Sequence, residues 1–128
     1  MKTLETERLI LRNFTEDDFD AVHSYASCLK NVIYMLWGPN TEEHTWAYIN
    51  TAISKANETP CTVFIYAVVM KYTNNLIGAC NLTIVNEEAE IGWILHRDYW
   101  NQGYGTEMGN ALLRLGFEDL HLHRIIAH

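Results

Sequence analysis

Gly103-Tyr104-Gly105 stand at a junction where a short apolar strand pattern gives way to a helical one. Glycines there leave main-chain N–H groups uncovered, and the start of a helix adds positive potential in front of them. The chemistry this implies is the binding of a phosphate or diphosphate. Two phosphate motifs do not fit. A P-loop requires Gly-Lys followed by Ser or Thr, which is absent. A dinucleotide fingerprint requires a parallel βαβ unit and an acid ~20 residues further on. These glycines follow what reads as a meander, and His123 and Arg124 stand where the acid would be. On glycine spacing alone, a helix start with glycines for tight packing remains an equal reading.

Few other side chains have a spacing that suggests chemistry. His121 and His123 share one side of a strand, but a metal site needs further ligands and none is evident. His44, beside Glu42 and Glu43, reads as solvated. Cys80 reads as core. Cys28, Cys61 and Cys80 are odd in number and widely spaced, which suits reduced thiols in a cytoplasm.

These residues need elements to position them. Leu4 to Arg12 alternates and reads as one strand. Thr15 caps a helix with Glu16, Asp17 and Asp18 in its first turn and Phe19, Val22, Ala26 and Leu29 at helical spacing. Gly38-Pro39-Asn40 is a break. Thr41 caps a second helix with a stripe of Trp46, Ile49, Ile53 and Ala56. After Pro60 the period changes. Thr62–Val69, Leu76–Val85 and Ala89–Leu95 read as three strands joined by short turns, an antiparallel meander. Gly78 marks a bulge or a close approach. A helix from about Tyr104 to Phe117 follows, and Leu122–Ala127 opens another strand. The order β-α-α-β-β-β-α-β is α+β, a mostly antiparallel sheet with flanking helices.

The chain has 128 residues, 48% of them hydrophobic, with a net charge of −7. That length suits a single domain, residues 1–128. No apolar run reaches the ~20 residues of a membrane helix. The N-terminus carries acids where a signal peptide is apolar, so a cytoplasmic location is expected. The negative charge argues against broad nucleic-acid binding.

The residues around the glycine turn carry a family resemblance. Ala89-Glu90-Ile91-Gly92-Trp93, followed by Tyr99-Trp100-Asn101-Gln102-Gly103-Tyr104-Gly105-Thr106-Glu107, resembles the acyl-CoA motif of the GCN5-related N-acetyltransferases (GNAT). Glu5 to Arg12, Trp37-Gly38-Pro39 with Thr41 to Glu43, and Leu120 to Ile125 resemble the branch that acetylates ribosomal-protein N-termini. Trp100 stands where the wider family has Gln or Arg.

The resemblance implies a GNAT-like fold, acetyl-CoA as cofactor and an amine as acceptor. It places the coenzyme diphosphate on the N–H groups of Gln102, Gly103, Tyr104, Gly105 and Thr106, and the pantetheine arm along Trp93, Ile94 and Leu95. Glycine at 103 and 105 would remove Cβ atoms from the path of the diphosphate. The implied base is Glu90, on the strand face of Gly92 and Ile94, where partial burial would make it a better base. Tyr104 would pack beside the coenzyme. Trp37 and Trp46 would line the amine pocket, although Trp46 reads first as core.

In the family, the proton donor to the leaving thiolate and a coenzyme-contacting Asn lie on a helix beyond the fifth strand, which this sequence does not reach. The chain is therefore expected to be C-terminally incomplete and to form a homodimer, swap an element or be marginally stable. A non-catalytic acyl-CoA-binding module is the alternative function.

Overall fold

The computed structural model describes residues 2–28, 39–86, 88–120 and 124–127, with main chain alone for 119 and 124–127. Leu29, Trp37, Gly38, His121 and His123 lie outside the described residues. Leu4–Glu5 (β1) and Leu9–Arg12 (β2) lead into a 3-10 turn, Glu16–Asp18, that continues as α1, Phe19–Ala26. Next come α2 (Glu42–Ala56), β3 (Val63–Met70), β4 (Leu76–Val85) and β5 (Glu88–Leu95). A 3-10 turn, Arg97–Tyr99, precedes α3 (Tyr104–Arg114), which widens into a π-type turn, Leu115–Asp119, before β6 (Arg124–Ala127). The described strands form one six-stranded sheet in the order β1-β2-β3-β4-β5-β6. The α+β class and the order of helices and strands are as the sequence implied.

Three details differ from the expectation. The first strand is a tight hairpin, with Leu4 opposite Leu11 and Glu5 opposite Ile10. Thr6 causes the reversal: its N–H donates to the Leu9 carbonyl at 2.9 Å, and the Leu9 N–H donates to Thr6 Oγ1 at 3.0 Å. Second, the last pair of strands is parallel, with Glu88 opposite Arg124 and Ile91 opposite Ala127. The glycine turn thus lies inside a β5-α3-β6 unit, and the missing acid alone argues against a dinucleotide fingerprint. Third, α2 buries Thr45, Ile49 and Ala52, while Trp46 is 39% exposed and stacks on Phe19 at 4.4 Å between ring centroids. The buried stripe is rotated from the one the apolar spacing predicts, because Thr45 binds His23 Nδ1 at 2.8 Å and turns inward.

Both faces of the sheet are covered, so β3 is buried without interruption from Phe64 to Val69. Phe64, Tyr66 and Val68 join Ile91, Met108 and Leu112 on the α3 face. Ile65 and Ala67 join Val22, Tyr25 and Ile49 on the α1–α2 face. This is the period-2 alternation of a strand between two layers. Full burial of each large apolar side chain stabilises the fold by about 1.5–3 kcal/mol. At Gly78 a bulge shifts the β3–β4 register, and β5 comes so close that a Cβ there would lie 2.1 Å from the Ile94 carbonyl oxygen. No helix among the described residues is long and apolar enough to cross a membrane.

Candidate functional site

The turn before α3 is built by the residues that sequence reading singled out. Asn101 and Gly103 both take positive φ, 62° and 84°. Gly103 is the helix cap, in the left-handed region where glycine carries no Cβ penalty. The Glu107 N–H is bonded to the Gly103 carbonyl at 3.1 Å. The N–H groups of Tyr104, Gly105 and Thr106 come before it in the helix and have no carbonyl one turn back. Trp100 fixes the turn to the end of β5, its Nε1 donating to the Leu95 carbonyl at 3.0 Å. Gln102 fixes it from within, Nε2 donating to the Asp98 carbonyl at 3.0 Å. Gln102, Gly103 and Thr106 are exposed.

A second element braces the turn from outside the motif. Arg8, in the β1–β2 hairpin, donates from Nε to Glu107 Oε1 at 2.7 Å and from Nη1 to the Gln102 carbonyl at 3.1 Å. Its guanidinium lies 4.2 Å over the Tyr104 ring. Glu107 also accepts the Arg8 main-chain N–H at 2.9 Å and the Thr6 hydroxyl. Burial works against the charge on Glu107. The hydrogen bonds from Thr6 and Arg8 outweigh it and hold the carboxyl below its ordinary range. Sequence reading placed Thr6 and Arg8 in the first strand and in a family resemblance, with no role at the turn. The residues that reveal their role are about a hundred positions away.

Across the sheet lies a cavity of about 430 Å³ between α1, α2 and the β4–β5 pair. Gly92, Trp93 and Ile94 of β5 and Ala79 and Asn81 of β4 border it on the sheet side. Val22, Tyr25, Ala26, His44, Ala47 and Tyr48 border it on the helix side. Burial pushes the phenols of Tyr25 and Tyr48 well up, so both stay neutral. The Tyr25 hydroxyl is buried with no hydrogen-bond partner among the described residues. Sequence reading missed Tyr25, Tyr48 and Asn81. In the linear pattern Tyr25 and Tyr48 are ordinary helix residues, and Asn81 is one polar residue in an apolar strand.

The predicted site residues separate along β5. Gly92, Trp93 and Ile94 border the cavity, and Leu95 is buried at the end of the strand. Glu90 lies opposite Thr83 on β4 and Ile126 on β6, on the strand face of Gly92 and Ile94 as alternation requires. It is exposed, so the partial burial expected for it is not found. Tyr104 is buried between the Arg8 guanidinium and the α3-side core, so its ring is part of the protein interior and does not lie open beside a ligand. The Gly105 Cβ position points at Trp93, 3.2 Å from Nε1, and a Cβ there would meet the indole before any ligand. His44 stands at the cavity border and is not merely solvated. Trp46 is not among the described residues that border the cavity.

The model of the acetyltransferase (GNAT) domain matches residues 8–128. The chain belongs to the GNAT acetyltransferases. An uncharacterised N-acetyltransferase of Bacillus subtilis (strain 168), YnaD, is 33% identical over 126 residues, which are 97% of this chain and 71% of the relative. The crystal structure of a GNAT-family acetyltransferase from Bacillus anthracis superposes with a TM-score of 0.84 at 33% identity, covering 98% of this chain and 72% of that one. The ribosomal L7/L12 alpha-N-protein acetyltransferase RimL, solved in complex with coenzyme A, has a TM-score of 0.80 at 20% identity, covering 98% of this chain and 73% of that one. At that identity the RimL likeness shows the fold.

The turn of this GNAT domain suits a diphosphate. At Gly103 a Cβ would project beside Arg8 Nη2, 3.3 Å away, on the exposed side of the turn. Glycine leaves that space open next to a cation. The first-turn N–H groups and the Arg8 guanidinium are both donors, matching an anionic ligand.

Proposed function

We propose that this GNAT domain binds acetyl-CoA and transfers its acetyl group to a primary amine by direct attack within a ternary complex. The N–H groups from Gln102 to Thr106 would hold the diphosphate, and the main chain of Trp93, Ile94 and Leu95 would guide the pantetheine arm. The amine would occupy the cavity bordered by Tyr25, Tyr48, Asn81 and Gly92, and Trp37 is assigned to amine binding by the family resemblance alone. The acceptor is a protein N-terminus or a small-molecule amine. One observation carries this reading: β5 borders the cavity at Gly92–Ile94, and Trp100 pins the glycine turn to the end of that same strand through the Leu95 carbonyl. A ligand anchored on the turn and extended along that strand reaches the cavity.

Acetyl-CoA supplies an activated carbonyl and a thiolate leaving group. The chain supplies a base for the amine and a donor for the carbonyl oxygen. The acceptor nitrogen must be neutral to attack, and Glu90 takes its proton through water, since it is exposed two residues, roughly 7 Å of strand, beyond Gly92. Negative charge on the carbonyl oxygen requires a donor, which a main-chain N–H of β5 provides. The neutral phenols of Tyr25 and Tyr48 help keep the cavity uncharged.

Thermal shift with acetyl-CoA, paired with an assay of thiol release, tests the reading. Gly103→Asp places charge and bulk in the turn and is expected to abolish stabilisation by acetyl-CoA. Gly103→Asn, which tolerates positive φ and adds no charge, should retain part of it. Undiminished affinity in Gly103→Asp means the diphosphate sits elsewhere. Stabilisation with no thiol release across a wide amine panel would make the domain a binding module.

A further inference from the structure

The walls of the cavity restrict which amine fits. At about 430 Å³ it is near the small end of ligand pockets. Val22, Ala47, Ala79 and Ile94 make much of the lining apolar, and Tyr48 and Asn81 add neutral polar groups. No Asp or Glu borders it among the described residues. The sequence extends that statement beyond them, because no acid occurs from Ala21 to Thr41. The whole connection between α1 and α2, wherever it lies, therefore brings no carboxylate to the site. The acids nearest in the chain are Asp20 on α1, Glu42 and Glu43 at the start of α2, and Glu90 at the strand end, all of them exposed.

An ammonium group entering such a cavity loses water and gains no counter-charge from the described residues that border it. The reacting nitrogen meets such a cost once, in giving up its proton before attack. A second or third ammonium on the same molecule adds to it. We infer that the acceptor is a monoamine with an apolar body: its reacting nitrogen is its one basic group, and the carbon it carries fills the space between α1, α2 and β4–β5. This rests on the acetyltransferase reading and narrows it. The same chemistry is found in a free arylalkylamine and in a peptide N-terminus whose first side chain is uncharged and apolar. Polyamines and aminoglycosides are disfavoured.

The full chain, with coenzyme A present for binding and acetyl-CoA for turnover, is offered 2-phenylethylamine, the peptide Phe-Ala-amide and spermidine at 150 mM salt. That salt limits non-specific attraction of a polycation to an acidic protein. Calorimetry should give at least one of the two monoamines a Kd at least about tenfold below that of spermidine, and kcat/KM should rank the same way. Whichever monoamine leads identifies the source as a free amine or a peptide. Ala47→Glu adds a carboxylate at an exposed helix position on the cavity border. It should improve spermidine binding severalfold and leave 2-phenylethylamine unimproved. Spermidine acetylated as well as the monoamines, or better, overturns the inference and leaves the acetyltransferase reading standing. An Ala47→Glu variant that leaves the preference unchanged also overturns it. Acetyl-CoA binding with no amine bound and none acetylated overturns both.

Discussion

Arg8 brings a positive charge to a turn whose own first-turn acid, Glu107, would otherwise face an incoming diphosphate. The two are 2.7 Å apart, and the same guanidinium covers Tyr104 and bonds the Gln102 carbonyl. The ion pair is partly exposed, so its worth to the fold is modest. Its consequence for ligand binding is a matter of sign. Arg8→Gln leaves Glu107 uncompensated beside the turn, and acetyl-CoA should bind about tenfold more weakly, the cost of one charge-assisted contact. Glu107→Gln removes a negative charge and should bind acetyl-CoA no more weakly than the parent. Titration calorimetry at two salt concentrations measures both, with the Arg8 effect shrinking as salt rises. Equal weakening in the two variants would mean the clasp acts only by shaping the turn.

At the scale of elements, β5 does the joining. Its position depends on β4 at Gly78, where a Cβ would be 2.1 Å from the Ile94 carbonyl. The obstacle is main chain and cannot rotate away. Gly78→Ala should therefore cost about 2–3 kcal/mol in chemical denaturation, typical of forced overpacking. A loss below about 1 kcal/mol would show that the strands can separate cheaply. The β4 and β5 strands, and the helix starts at Thr15, Thr41 and Gly103, were legible in the sequence because each is specified locally, by period, turn residues or a cap. What local pattern could not show depends on distant partners. The Thr6-Glu7-Arg8 stretch looks like part of a strand until Glu107 arrives to bind its polar groups. The inward turn of Thr45 depends on His23. The cavity required two helices and two strands to meet, so Tyr25, Tyr48 and Asn81 carried no signal in the chain. The glycine turn was readable as a helix start, but the missing Cβ of Gly105 was assigned to close approach of a ligand when that bare face is turned to Trp93.

Over the whole molecule, two carboxylates hold the N-terminal strands to the helices on opposite faces of the sheet. Glu107 ties the β1–β2 hairpin to α3. Asp18, at the start of the α1 layer, takes a two-pronged bond from Arg12 of β2, with both contacts at 2.9 Å, and accepts the Thr15 N–H at 2.8 Å. Burial alone would raise Asp18. The hydrogen bonds from Arg12 and Thr15 outweigh burial and hold it below the ordinary carboxylate range. Both groups are thus more acidic in the folded state than in the unfolded chain. A depressed carboxyl stabilises the fold above its unfolded value, about 3.9 for Asp and 4.3 for Glu, and that contribution disappears as pH falls through the folded value. The urea midpoint of the protein should accordingly be nearly level from pH 7 to about pH 5 and drop steeply below about pH 4. The double variant Asp18→Asn, Glu107→Gln should start from a lower midpoint at pH 7 and lose much less between pH 5 and pH 3, because neither clamp has a proton left to gain. An acid drop of the same size in both proteins would place the sensitivity elsewhere in the chain and leave the two clamps without a role in it.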